Sequence, residues 1–157
     1  MKIILLVIGK TSEAYLQRGI EEYEKRLTRY TQFSLEVIPD IKNAASLSEN
    51  ELKEKEGAAI LERVKPGDKI ILLDSRGTQF DSPGFAKFIA KNMLASVRRL
   101  IFVVGGAYGF SNEVYTRAEG KISLSAMTFS HQMVRLIFVE QLYRAMTILK
   151  GEPYHHE

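Results

Sequence analysis

The segment Leu100-Ile101-Phe102-Val103-Val104-Gly105-Gly106-Ala107-Tyr108-Gly109-Phe110-Ser111 decides the fold class. Leu100–Val104 is a short, unbroken apolar run rich in branched side chains, as expected of a strand buried on both faces. Glycines end it abruptly. Ser111 then offers an N-cap for a short helix, with Phe110 and Tyr115 spaced as a hydrophobic staple. A strand, a glycine-rich turn and a capped helix make the repeating unit of a parallel sheet.

The same unit recurs outward in both directions. Ile3–Ile8 is a second continuous apolar run. Leu16, Ile20, Tyr23, Leu27 and Tyr30 follow at helical spacing, with Thr11 or Ser12 expected to cap that helix. Phe33–Ile38 reads as a strand ended by Pro39-Asp40, and Ser48 with Glu51 forms a capping box for the next helix. Lys69–Leu73 is the third strand in chain order. Ser82 then Pro83 reads as a cap followed by proline at the first helical position. Beyond the opening segment, Lys121–Ser125 is expected as a fifth strand and His131–Lys150 as a long final helix. Strands alternating with helices imply parallel crossovers and helices on both faces of the sheet. The expected fold is a three-layer α/β domain, with residues 1–157 as one unit.

Composition narrows the function classes. The 157 residues are 45% hydrophobic and 26% charged, values of a globular chain and not of a disordered one. Cys is absent, which removes disulfide frameworks, thiolate nucleophiles and thiolate zinc sites together. The longest apolar stretch, Leu100 to Phe110, is 11 residues even with its glycines, too short to span a bilayer. Met1–Lys10 has no small-residue cleavage site and reads as a buried strand, so a cytoplasmic protein is expected. The 22 Lys and Arg exceed the 19 Asp and Glu by only three. An RNA-binding role therefore requires that charge to be focused on one face, or pooled by two copies.

Three strand ends carry unusual chemistry: Leu73-Asp74, Gly105–Gly109 and Leu124–Phe129. Ligands of open parallel sheets bind at such carboxyl ends. The glycines follow the wrong strand for a dinucleotide fingerprint, position 107 is Ala, and no Lys-Ser or Lys-Thr closes a P-loop. Gly105–Gly109 is thus either a tight turn or a place where a ligand approaches the backbone closely. Ser123 to Phe129 holds no charge, and its small, hydroxylated and apolar residues suit an uncharged aromatic ring such as adenine.

Phe102-Val103-Val104-Gly105-Gly106, Leu124-Ser125-Ala126-Met127-Thr128-Phe129 and His131-Gln132-Met133-Val134-Arg135 together resemble the small SPOUT-class methyltransferases. Glu22-Tyr23-Glu24-Lys25-Arg26-Leu27, Glu140-Gln141-Leu142-Tyr143-Arg144-Ala145 and Tyr154-His155 resemble in particular the family that methylates a pseudouridine of large-subunit (23S) ribosomal RNA. The resemblance implies an α/β trefoil knot near the fourth and fifth strands and S-adenosylmethionine as cofactor. It places cofactor contacts on Leu73, Gly105, Leu124, Ser125, Ala126, Met127, Thr128 and Phe129. It also implies a homodimer packed across the last helix and ribosomal RNA or the ribosome as partner. That helix is apolar around its circumference at Met133, Val134, Leu136, Ile137, Phe138 and Val139, as a helix covered on all sides should be. Position 130 is Ser where the family usually has Pro, and position 156 is His where Arg is common. A knotted transfer-RNA methyltransferase and a non-catalytic RNA-binding module remain the alternative readings.

Methylating a pseudouridine ring nitrogen needs two reactants positioned, one proton removed, and charge stabilised on flanking carbonyls. Arg144, Tyr154 and His155 are the expected catalytic set. Arg144 supplies fixed positive charge, Tyr154 a stacking face, and His155 a proton acceptor. Glu140 precedes Arg144 by four residues, so an ion pair along the helix is the simpler role for both. His131 reads as satisfying the helix start. No metal site is expected, because the adjacent His155-His156 pair is a poor chelator.

Overall fold

The apolar runs pair as expected. The computed structural model describes residues 1–156, in which β1 (Lys2–Ile8), β2 (Gln32–Ile38), β3 (Lys69–Gln79), β4 (Arg99–Val104) and β5 (Gly120–Ser123) form one parallel sheet. Its order is β2-β1-β4-β3-β5. Alternation of side chains along each strand divides the core in two. Ile3, Leu5, Val7, Leu100, Phe102 and Val104 face α1 (Ala14–Leu27), α3 (Ser82–Leu94) and α5 (Met133–Leu149). Ile4, Leu6, Ile8, Ile101 and Val103 face α2 (Glu49–Glu62) and α4 (Asn112–Arg117). The three expected layers are present.

Helix termini follow capping chemistry, with three corrections. Ser48 and Glu51 form the capping box, and Ser111 Oγ accepts from Val114 N–H at the start of α4. Neither Thr11 nor Ser12 caps α1, whose N-cap position is Glu13 without a side-chain bond. Both are committed elsewhere: the Thr11 hydroxyl accepts from Arg135, and the Ser12 N–H donates to Gln132 Oε1 at 2.9 Å. The cap of α3 is Asp81, which accepts from Gly84 N–H at 2.7 Å; Ser82 instead donates to Gln141 Oε1 on α5 at 2.9 Å. The regular part of the last helix runs from Met133, not His131; the turn before it is held by Ser130, whose Oγ accepts from Met133 N–H and whose carbonyl accepts from Val134 N–H, both at 3.0 Å.

Much of the circumference of α5 is used within the chain. Phe138, Val139 and Leu142 are fully buried between the sheet, α1 and α3. Gly19 lets α1 approach so closely that a Cβ there would lie 2.9 Å from Leu136 Cδ1. Met133, Ile137 and Ile148 stay half-buried. A charge at Phe138 would therefore disrupt the core of one chain before it could report on any partner.

The largest fully buried side chain is a charged one. Arg135 is 0% exposed and lies where α5 passes the carboxyl end of β1. Its Nη2 donates to Ile8 O at 2.9 Å, Nη1 to Gly9 O at 2.8 Å and to Thr11 Oγ1 at 3.1 Å, and Nε to His131 O at 3.1 Å. Burial pushes this guanidinium below its ordinary range, and nearby Asp40 opposes that shift. Arg135→Leu should cost about 2–4 kcal/mol in urea unfolding, because buried carbonyls lose their donors. Unchanged stability would mean that water replaces the guanidinium without loss.

Candidate functional site

Parallel strands aligned in register bring their carboxyl ends to one edge. Leu73 of β3 pairs with Val104 of β4 and with Ile122 of β5, and all three line a cleft of about 1080 Å³. β3 does not stop at Leu73. Its pairing with β5 shifts between Leu73 and Thr78, so both oppose Ile122 and the residues between bulge out. Gly77 permits this: a Cβ there would lie 2.6 Å from the Ile122 backbone nitrogen. The bulge turns Asp74, Ser75 and Arg76 toward the cleft.

The glycines after β4 make a tight turn that also forms part of a cleft wall. Gly109 has φ 84° and its N–H donates to Gly106 O at 3.2 Å, which makes a tight turn. Gly105 to Gly109 also line the cleft. The third wall is the chain after β5, which ends at Ser123 and not at Ser125, because Ser123 Oγ turns to donate to Ser125 O at 2.8 Å. Ser125 Oγ in turn accepts from Met127 N–H at 2.9 Å. Leu124, Ser125, Met127, Thr128 and Phe129 line the cleft with Leu73 and Gly105; Ala126 is exposed and does not. Seven of the eight expected cofactor contacts are thus brought together.

The mouth holds a group that sequence reasoning missed. Tyr115 reads as a staple, and its ring does stand edge-on to Phe110 with centroids 5.7 Å apart. Its hydroxyl also donates to Asp74 Oδ2 and accepts from Arg76 Nη2 at 2.7 Å. Burial raises the Asp74 carboxyl, but bonds from Tyr115 and Arg76 and the Arg76 charge outweigh it, so Asp74 titrates below its ordinary range. Arg76, Lys53 and Lys121 give the cleft a basic rim. Proximity of Asp74 to the strand end was legible; its partnership with a side chain 41 positions away was not.

Arg144, Tyr154 and His155 meet elsewhere. Glu140 Oε1 accepts from Arg144 Nη2 at 2.5 Å and Nε at 3.1 Å, and from the Tyr154 hydroxyl at 3.0 Å. The expected helix ion pair is therefore present. Tyr154 stands edge-on to Tyr143, with centroids 4.7 Å apart, and bonds Tyr23 at 3.2 Å. Arg144 lies 4.7 Å over its ring. Burial first, then the bonds to Tyr23 and Glu140, raise the Tyr154 phenol well above its ordinary range, so it remains a donor. Arg144 Nη1 lies 3.1 Å from His155 Nδ1. A guanidinium only donates, so Nδ1 accepts and the ring hydrogen sits on Nε2. None of the three lines the cleft. Val134 does, and Arg144 lies ten residues further along α5, about 15 Å. Among the described residues, no group of three or more His, Cys, Asp or Glu is placed to hold a metal ion.

The family profile described as "Predicted SPOUT methyltransferase" matches residues 1–155. The chain belongs to the SPOUT methyltransferase family. A protein of Parabacteroides distasonis called ribosomal RNA large subunit methyltransferase H is 59% identical over 157 residues, the full length of both chains. One of the same description from Flavobacterium johnsoniae is 55% identical, again over the full length of both. A solved probable methylase family protein of Haemophilus influenzae matches at TM-score 0.52 and 14% identity, covering 95% of this chain and 66% of that one, a likeness of fold.

Asp74 has a testable consequence. A carboxyl lowered in the folded state adds stability above its unfolded pKa, and this is lost as pH falls through the folded value. Tyr115→Phe removes one of the lowering bonds. About 1 kcal/mol should be lost at neutrality, and the acid-side loss, which starts from the same unfolded pKa in both proteins, should be smaller and level off at higher pH than in the wild type. Urea unfolding from pH 2.5 to 7 reads both; superimposable acid limbs would remove Tyr115 from the account of Asp74.

Proposed function

We propose that the chain transfers a methyl group from S-adenosylmethionine to N3 of a pseudouridine in large-subunit (23S) ribosomal RNA. The observation that carries this reading is the cleft at the carboxyl ends of β3, β4 and β5, walled by Leu73, Gly105 and the uncharged 124–129 segment. Backbone groups of that segment suit adenine. About 1080 Å³ exceeds the usual range for one small ligand and leaves room for a target base. Bound there, S-adenosylmethionine would supply an electrophilic methyl group. The α/β knot belongs to the same reading, in which residues 105–109 and 124–129 are its cofactor loops. The full-length relatives described as ribosomal RNA large subunit methyltransferases support the substrate, and ribosomal RNA as substrate supports a cytoplasmic location. No helix is long and apolar enough to cross a membrane among the described residues.

The chain's own residues then divide the work. Leu73, Gly105, Leu124, Ser125, Met127, Thr128 and Phe129 hold the cofactor, with Ala126, outside the cleft lining, carried in the same segment. Arg144 turns from His155 to an imide carbonyl, where its charge stabilises the deprotonated ring. That movement frees His155 Nδ1 to take the N3 proton. Tyr154, held as a donor, offers its ring to the base. The trio and the cleft occupy different ends of α5, which supports a homodimer packed across that helix, with the tail of one copy serving the cleft of the other.

Calorimetry with S-adenosylmethionine, and mass spectrometry of ribosomal RNA from cells lacking the protein, test the reading. A chain that binds no S-adenosylmethionine would overturn the cofactor assignment. Truncation after Gly151 should leave cofactor affinity within about twofold and abolish methyl transfer. His155→Gln should slow turnover about 10²-fold; a normal rate would assign the proton to another acceptor. Light scattering should give twice 17.8 kDa for the native protein and a shift toward one copy for Ile137→Glu. A native mass of one chain would overturn the dimer.

A further inference from the structure

Glu56 is a carboxylic acid in the wrong place for stability alone. It lies on α2, the layer opposite α5, and is 7% exposed. Its Oε1 is out of contact with water and has no hydrogen-bond partner among the described residues. Burying a polar oxygen in this way costs free energy, more so if the group is charged. The neighbouring charges do not compensate. Asp40, in the segment after β2, is like-charged, and the guanidinium of Arg135 on α5 is used by the carbonyls of Ile8, Gly9 and His131 and by the Thr11 hydroxyl. The face of α4 against this part of α2 presents the Ser111 hydroxyl and Val114. Burial, then Asp40, push the Glu56 carboxyl above its ordinary range.

What stands in front of Glu56 gives it a use. A Cβ on Gly106 would lie 2.5 Å from Glu56 Oε2 and 2.6 Å from Oε1, and Gly106 lines the cleft. Only bare backbone at that position separates the carboxyl from the ligand space. The side chain one turn earlier on α2, Lys53, lines the same cleft. S-adenosylmethionine carries a sulfonium and is a net cation near neutral pH, whereas the product left after methyl transfer has a neutral thioether and no net charge.

We propose that Glu56, acting across the bare backbone of Gly106, is the residue by which the cleft favours the cationic methyl donor over its demethylated product, whose net charge is zero. The inference rests on S-adenosylmethionine being the cofactor of this cleft. The carboxyl interacts through space and touches neither reacting atom, so its role is specificity and product release. In the free protein the buried group is held toward its protonated form. A cation entering the cleft favours the ionised form, and the proton departs to solvent.

The test is calorimetry on the full-length protein, with S-adenosylmethionine and S-adenosylhomocysteine titrated into wild type, Glu56→Gln and Glu56→Asp. Glu56→Gln is nearly isosteric and removes a buried ionisable group. A carboxyl raised in the folded state loses stability as pH rises from its unfolded value through its folded one. The Gln variant should therefore fold and melt no lower than wild type at neutral pH. It should bind the product within about twofold of wild type and weaken the donor about fivefold or more. Glu56→Asp should keep part of the preference. An unchanged donor-to-product ratio in Glu56→Gln overturns the role of Glu56 while leaving the cofactor assignment intact. A wild type that binds neither compound overturns both.

Discussion

A guanidinium with no access to water holds the two halves of this molecule in one register. Arg135 donates into the carbonyls at the end of β1 and into Thr11, while its own helix carries a cleft wall at Val134 and the tail cluster at Glu140 and Arg144. An arginine serves here because its fork reaches several acceptors with one rigid plane, and its charge never needs to be removed. Gln132 adds to the clamp from the same turn, receiving Ser12 N–H and donating to Lys10 O at 3.1 Å. The start of α5 is thus fixed to the sheet by polar contacts, and its middle by Phe138, Val139 and Leu142. One side of the cleft, at Val134, and the tail cluster around Glu140 inherit their positions from that helix.

The elements were legible because their signals are local. Unbroken apolar runs of strand length gave β1, β4 and the part of β3 up to Leu73, and a serine three residues before a backbone donor gave the caps at Ser48 and Ser111. The same rule failed at Thr11, Ser12 and Ser82. Their side chains or backbone groups are used by residues of α5 more than fifty positions away, namely Arg135, Gln132 and Gln141. Local capping is worth only about 1 kcal/mol and yields where a buried donor needs the oxygen more. The extension of β3 past Leu73 was hidden for a related reason. Asp74-Ser75-Arg76-Gly77 has turn composition, and only the missing Cβ of Gly77 against the backbone of Ile122 makes it a bulge inside a strand.

The site was legible where it depends on composition, and opaque where it depends on partners. Leu73, Gly105 and the 124–129 segment stand out as uncharged strand ends, and all but Ala126 converge on the cleft. Tyr115 and Glu56 do not stand out, since a staple tyrosine and a helical glutamate are ordinary in sequence. Tyr154 sits three positions from the end of the chain, where fraying is the usual expectation. Its anchorage depends on Tyr23 and Tyr143, residues that a helical pattern explains on its own.

Charge around the cleft is layered, and the small net charge of +3 conceals this. Arg76, with 70% of its side chain exposed, and Lys121 stand at the rim, where phosphates of a polyanion would pass. Asp74, 7% exposed at its side chain, and Glu56 lie deeper. Asp74 is bound to Tyr115 and Arg76 and is already satisfied as an anion. Glu56 Oε1 has no hydrogen-bond partner among the described residues. With the substrates proposed above, the basic rim would meet the polyanion and the deeper carboxyls the cationic methyl donor, so that the two would occupy different depths of one opening without competing for the same side chains.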